Sequence, residues 1–389
     1  MLEAVFRGSN RYFAWLGLCV AAMALGSVFY VKQHENGLGI TGLGHDVLWG
    51  LYIGQLTFWV GIAASAVVTV IPFYCHDVKA FRKTLVIGEI LAIPACVMCV
   101  LFALVDLGRP ERVMNLFLHP SLQSLLFWDV VAIVGYLAIN ATLVAVTVAS
   151  ERKEENPPRW FRPLVLMSIP WAVGIHTVTA FLYSGLAARP LWHSAIMAPR
   201  FLATAFASGP SCLVLVLVAL KAFGRYDVGR EPILKLVRIV TYCVLINLFF
   251  VLAECFTALY DGVPEHAVPL RYLCGGFPQS LSLGLGMWAS IAMMLVALGL
   301  LSARSTRNHP AVIPWACLLV VLSVWIDKGM GLVVAGFVPN PFGEIPEYAP
   351  TGAEIAITLG IGGLGLLILT LLCKVLLRVR QNESSEATL

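Results

Sequence analysis

Few side chains in this sequence could do chemistry, and most of them interrupt apolar runs. Gln55, Asp129, His176, Glu254 and Asp327 each break a hydrophobic stretch, as do Glu89, Asn140 and Asn247, while His45, Asp46 and Arg200 stand at the mouths of such stretches. An ionisable side chain in hydrocarbon costs about 2.5–3.5 kcal/mol on insertion scales, so each needs a reason to be there. These residue types suit two-electron, two-proton chemistry on a quinone: oxidising a quinol releases protons that need acceptors close by, and the ring needs an apolar, aromatic slot. Trp49, Tyr52, Trp59, Trp128 and Tyr183 could supply that slot. A proton-coupled transporter would use the same types, and a lone Asn or Gln in a bundle is as a rule an interhelical hydrogen bond. Asp327 followed by Lys328 also fits a local ion pair, and Glu89 fits a pair with Lys83.

The elements that position these groups are transmembrane helices. Hydrophobic residues make up 59% of the chain and charged residues 12%, about half the charged share of a soluble domain, and the mean hydropathy is +0.85. Apolar runs of twenty or more residues recur, each long enough for a hydrocarbon core of about 30 Å. The runs predict an all-α polytopic membrane protein of about ten spans, near 12–31, 47–74, 84–105, 122–149, 163–187, 200–222, 233–260, 278–302, 311–335 and 351–377. The stretch MLEAVFRGSNRYFAW leads into the first run without a small-residue cleavage site and reads as a retained helix, not a signal peptide.

Charge orients the spans. Nineteen of the 26 Lys and Arg fall on one side, in segments such as 75–83, 150–162, 221–238 (with Arg225) and 303–310 and at both termini. Positive residues mark the cytoplasmic side, so both termini are expected in the cytoplasm and the chain in the cytoplasmic membrane. The net charge of +4 therefore reports orientation, not nucleic acid. The opposite, outer segments 32–46, 106–121, 188–199, 261–277 and 336–350 are longer, rich in Gly, Pro and aromatics, and read as caps that hold a partner or an active-site mouth. Gln55, Asp129, His176, Glu254 and Asp327 lie roughly 10–17 Å in from that side at helical rise. Glu89, Asn140 and Asn247 lie nearer the other, and with Asp327 they make up a candidate proton path towards His176.

Ten cysteines are scattered without metal or disulfide spacing, and the lone Cys96–Cys99 pair sits in a hydrophobic run as apolar filler. A bis-histidine haem needs paired histidines at depth, and of eight histidines only His176 lies well inside a span. No haem, iron–sulfur cluster or metal site is expected in this chain.

Four segments resemble the NrfD/PsrC family of quinone-interacting membrane subunits: GITGLGHDVLWGLYIGQ (39–55), LVDLGRPERVMN (104–115), SIPWAVGIHTVTAFLYSGLAARPLWHSAIMAPRFLATAFASGP (168–210) and VWIDKGMGLVVAGFVP (324–339). Within the family the likeness is greatest to the branch that serves sulfite-reductase-associated complexes. The resemblance implies two four-helix bundles plus an added helix pair, drawn along the sequence as 12–149, 163–302 and 311–377. It implies menaquinone bound near the outer face, with His176, Asp129 and the His45/Asp46 mouth at the site; Gln55, Tyr52, Trp128, Tyr183, Arg200 and Glu254 are further candidates by their depth and residue type. It implies a ferredoxin-like iron–sulfur subunit docked outside, alongside a multihaem cytochrome c, a cytochrome b and a heterodisulfide-reductase-like subunit.

Overall fold

The computed structural model describes residues 8–224 and 226–386, so Arg225 and the first seven residues, whose sequence enters the orientation and leader readings above, lie outside it. Among the described residues ten helices are long and apolar enough to cross a membrane: α1 Asn10–Ile40, α2 Leu51–Cys75, α3 Leu85–Asp106, α4 Leu125–Lys153, α5 Phe161–Ser184, α6 Met197–Gly224, α7 Arg230–Tyr260, α8 Pro278–Ser302, α9 Val312–Ala335 and α10 Gly352–Arg380. Each expected span finds its helix, because a backbone in lipid satisfies its polar groups only within itself. The chain is an all-α, multi-pass integral membrane protein.

Local signals fix the ends. Ser9 and Ser124 cap α1 and α4 by accepting from Tyr12 N and Phe127 N, and Glu154, in the left-handed region at φ 57°, closes α4. Pro94, Pro170 and Pro210 are carried inside helices, where neighbouring helices re-satisfy the freed carbonyls. Two helices depart from α geometry: α2 ends in a π segment, Ile71–Cys75, and α9 holds another, Trp325–Gly331.

Packing groups the helices differently from their order in the chain. Helices α2 to α5 pack each on the next and α5 returns to α2; α6 to α9 repeat the arrangement, α9 closing on α6. The widest contact in the molecule joins α1 to α10, and that pair leans on α3. The sequential partition 12–149, 163–302 and 311–377 is therefore corrected: the added pair is the first helix with the last. Small residues permit it, since a Cβ on Gly26 or Gly360 would lie 2.7 Å from the other's Cα, and helices in lipid associate by such close backbone approach.

The two bundles meet along a seam made by α2 and α5 against α6 and α9. At one end of the seam lie the longer segments 41–50, 107–124, 185–196, 261–277 and 336–351; at the other lie the short basic turns 76–84, 154–160, 226–229 and 303–311.

Candidate functional site

The loop-rich end of the seam closes in an aromatic cage. Trp49, just before α2, stacks on Trp192 of the α5–α6 loop at 5.4 Å, and both meet Phe337 edge-on beyond α9, at 6.0 and 5.0 Å. Tyr183, in the last turn of α5, faces Trp49 and Trp192 at 5.5 and 5.2 Å and Phe201 of α6 at 5.8 Å. Trp192 is held by its Nε1–H donating to Leu332 O at 2.8 Å, and its ring lies so close over Gly336 that any Cβ there would collide. Both bundles contribute a wall.

Beneath the cage the seam turns polar. Thr57 on α2 donates to Ile53 O at 2.8 Å, which commits its proton, so Tyr183 donates to the Thr57 hydroxyl. Asp129 on α4 is buried and accepts from Thr179 Oγ1 on α5 at 2.6 Å. His176, one turn below Thr179, is fully buried; its Nδ1 lies 2.6 Å from Ala172 O. A carbonyl only accepts, so Nδ1 carries the proton and Nε2 presents a lone pair. That Nε2 has no hydrogen-bond partner among the described residues. The backbone of Gly61 on α2 lies beside the ring.

The second bundle brings charge to the same seam. Arg200, near the start of α6, donates through Nη2 to both carboxylate oxygens of Asp327, at 2.7 and 2.9 Å, and through Nη1 to Glu254 of α7. The expected local pair between Asp327 and Lys328 is not formed, because the Asp327 oxygens accept from Arg200. Lys328 turns the other way, its Nζ 4.0 Å from the centre of the Phe201 ring and without a hydrogen-bond partner among the described residues.

The remaining candidates fall elsewhere. Trp128 is 44% exposed on the outer surface of α4, bonded to Leu122 O, and lines no interior slot. His45 and Asp46 are exposed, Asp46 accepting from Asn340 Nδ2 at 3.0 Å. Tyr52 points away from the seam and donates to Gln33 on α1 at 2.7 Å. Gln55 is buried on Tyr52's side of α2, not Thr57's. Glu89 on α3 and Asn140 on α4 are buried inside the first bundle, with Glu89 Oε2, Asn140 Oδ1 and the nearby Tyr136 hydroxyl unpartnered among the described residues; Glu89 makes no pair with Lys83. Asn247 belongs to the other bundle, donating to Met294 Sδ across α7 and α8 at 3.3 Å, so it joins no path with Glu89. Trp192, Phe201, Phe337 and Lys328 escaped the sequence reading of the site, though VWIDKG and ARPLWH carried a signal for two of them.

A family model described as "Polysulphide reductase, NrfD" matches residues 39–337. The chain belongs to the NrfD family. The match runs from the loop before α2 to the loop after α9, so it takes in both bundles and all five cage residues. Among curated relatives, this NrfD protein is 24% identical to a putative dimethyl sulfoxide reductase membrane subunit of Halobacterium salinarum, over 91% of this chain and 88% of that one. It is 22% identical to a selenate reductase subunit of Mesobacillus selenatarsenatis over 88% of each chain. It is 23% identical to the Hdr-like menaquinol oxidoreductase integral membrane subunit of Archaeoglobus fulgidus over 68% of this chain and 65% of that one.

Proposed function

We propose that this NrfD protein is the quinone-reactive subunit of a respiratory electron-transfer complex, of the DsrP type that serves dissimilatory sulfur metabolism. It exchanges electrons between menaquinone and a ferredoxin-like iron–sulfur subunit seated on the loop-rich face. That face lies outside the cytoplasmic membrane, the basic face and both termini inside. The other members of the complex are a multihaem cytochrome c, a cytochrome b and a heterodisulfide-reductase-like protein.

One observation carries the reading: His176 Nε2, a buried acceptor without a partner among the described residues, lies at a seam roofed by Trp49, Tyr183, Trp192, Phe201 and Phe337. Burying a polar nitrogen unpaired costs about 1–3 kcal/mol, a cost suited to a ligand that brings a hydroxyl. The residues fit a planar apolar ring with oxygens at its ends. The quinone, when bound, supplies the two-electron chemistry. The chain's part is to hold the ring between aromatic walls, exclude water, and accept a proton at Nε2, while Thr179 keeps Asp129 oriented across α4 and α5. The relative named for menaquinol oxidation supports the choice of quinone.

Proton movement from the basic side is the second part of the proposal. Glu89 Oε2, Asn140 Oδ1 and the Tyr136 hydroxyl leave room in hydrogen-bonding terms for water inside the first bundle, between that side and His176. In liposomes carrying the whole complex, Glu89→Gln should keep quinone-linked electron transfer and lose membrane potential; equal loss of both, or of neither, assigns Glu89 to structure.

The binding site itself is tested by quenching of tryptophan fluorescence with a quinone analogue. His176→Ala and Asp129→Asn should each weaken binding by more than about tenfold, or about 1.4 kcal/mol. Unchanged affinity in both removes the site from the seam. Docking is tested by a crosslinker on Ala195→Cys, in the exposed α5–α6 loop: an iron–sulfur subunit should be captured, and capture of cytoplasmic subunits alone reverses the orientation.

A further inference from the structure

Lys328 has no role in that reading, and its surroundings ask for one. The residue is 3% exposed, and its Nζ has no hydrogen-bond partner among the described residues. Neither neighbouring carboxylate serves it: Arg200 holds both oxygens of Asp327 through one nitrogen and Glu254 through another. What faces it is the Phe201 ring, 4.0 Å away, and the backbone of α2, where a Cβ built on Gly61 would lie 3.6 Å from Nζ. A cation over an aromatic ring gains less than an ammonium loses on leaving water. The fold thus carries a buried amine with no anion bonded to it, which a negatively charged ligand would hold in its ammonium form.

Its direction is set by an irregular backbone. Trp325–Gly331 is π-helical, and the wider turn shifts side chains out of α register, a feature common at functional sites. Asp327 is turned to α6 and α7, and Lys328 to α2. There it meets the polar end of the seam: Gly61 separates it from His176, and Phe201 joins it to Tyr183 and the cage, ring to ring at 5.8 Å. Two unpartnered nitrogens, one an acceptor and one a cationic donor, flank the same stretch of α2 backbone beneath one aromatic roof.

We propose that Lys328 is the anion anchor of the seam, pairing with a ring oxygen of the quinone headgroup when that oxygen is negatively charged. This rests on the quinone reading and adds to it a charge preference: the site binds the anionic form of a naphthoquinone ring better than the neutral form. The fixed Arg200–Glu254–Asp327 cluster sums to one negative charge and holds its own arginine, so it offers no competing cation. The free ammonium is Lys328's.

Two rings of one shape separate charge from fit. Hydroxynaphthoquinone is an anion at neutral pH, and methylnaphthoquinone is uncharged; binding of each to the purified complex is followed by quenching of tryptophan fluorescence. Lys328→Met should weaken the anion by more than about tenfold and the neutral ring by less than about threefold, with Lys328→Arg keeping most of the anion's affinity. Equal losses for both rings indicate a packing role and overturn the proposal, as does no loss for either. If Lys328→Met does not assemble, Lys328→Gln is read by the same criteria. Failure of the unaltered complex to bind the neutral ring overturns the quinone reading itself, whereas normal neutral binding with no charge preference overturns the anchor alone.

Discussion

The two four-helix bundles share an arrangement and differ in how they treat polar groups. In the first, the apolar windows of α2 and α3 are 78% buried, enclosed by the second bundle on one side and the α1–α10 pair on the other; in the second, α7 and α8 are 28% buried, with Leu245, Phe249, Leu252 and Phe256 turned outward. The second bundle closes most of its interior polar groups on themselves, leaving Asn247 Oδ1 and Lys328 Nζ unpartnered among the described residues. Ser290 and Ser323 donate to each other's carbonyls at 2.9 and 2.8 Å, Asn247 Nδ2 donates to Met294 Sδ, and Arg200 holds both Glu254 and Asp327 at the edge. The first bundle leaves Glu89, Tyr136, Asn140 and His176 each with an unpartnered atom among the described residues. Satisfied polar groups hold helices together, whereas unsatisfied ones wait for water or a ligand. On the proposed reading the first bundle supplies the proton-handling groups, and the second supplies a wall and the Lys328 amine.

The difference can be broken at its strongest point. Arg200→Met strands the buried Asp327 and the half-buried Glu254 and should cost about 3–5 kcal/mol, read as a large fall in the thermal midpoint of the purified complex. Combining it with Glu254→Gln and Asp327→Asn removes the charges together and should restore most of the loss. A smaller effect is expected where the bundles touch. A Cβ on Gly54 would lie 2.8 Å from Gly329 O, whereas one on Gly174 meets nothing within 4 Å. Gly54→Ala should thus cost about 1–3 kcal/mol by forcing α2 from α9, and Gly174→Ala should stay within about 0.5 kcal/mol, both measured by thermal unfolding.

Asn247→Leu sharpens the contrast further: it should change stability by less than about 1.5 kcal/mol and leave quinone-analogue affinity alone. A measurable loss of affinity would place the second bundle's interior in the site. The smallest effect concerns the loop-rich end, where Leu51 N donates to the Tyr348 hydroxyl and that hydroxyl to Glu354, both at 2.7 Å. Burial above all, then the Glu354 charge, pushes Tyr348 above the ordinary tyrosine value of 10.0. The neutral hydroxyl is favoured by the fold, so this clasp contributes fully below that pH and weakens above it as the unfolded chain ionises. Tyrosinate absorbance should show Tyr348→Phe removing a late-titrating group.

The spans were legible because hydropathy and length are one-dimensional properties that lipid enforces directly. Neighbourhood was partly legible: Asp129 on α4 meets Thr179 on α5, which lies one turn from His176 and one turn from Tyr183. Azimuth was not. Trp128 and Tyr183 share a depth, but one faces outward and the other the cage, and on helices as uniformly apolar as these no polar face marks the difference. Asp327 and Lys328 look like a pair in sequence, yet adjacent helical residues do not face each other, and the π segment parts them further. The union of α1 with α10 depends on Gly26 meeting Gly360, a contact between the two ends of the chain that no local pattern announces.

The central claim, that the quinone ring sits at the seam beneath the cage, is tested most directly by labelling the purified complex with a photoreactive azido-naphthoquinone and mapping adducts by mass spectrometry. The account predicts adducts on peptides carrying Trp49, Tyr183 and Trp192, lost when an excess of unlabelled quinone is present. Competable adducts confined to the cleft of Tyr30, Gln33, Leu38 and Leu107 beside α1, or to the outward face of α7, would contradict it.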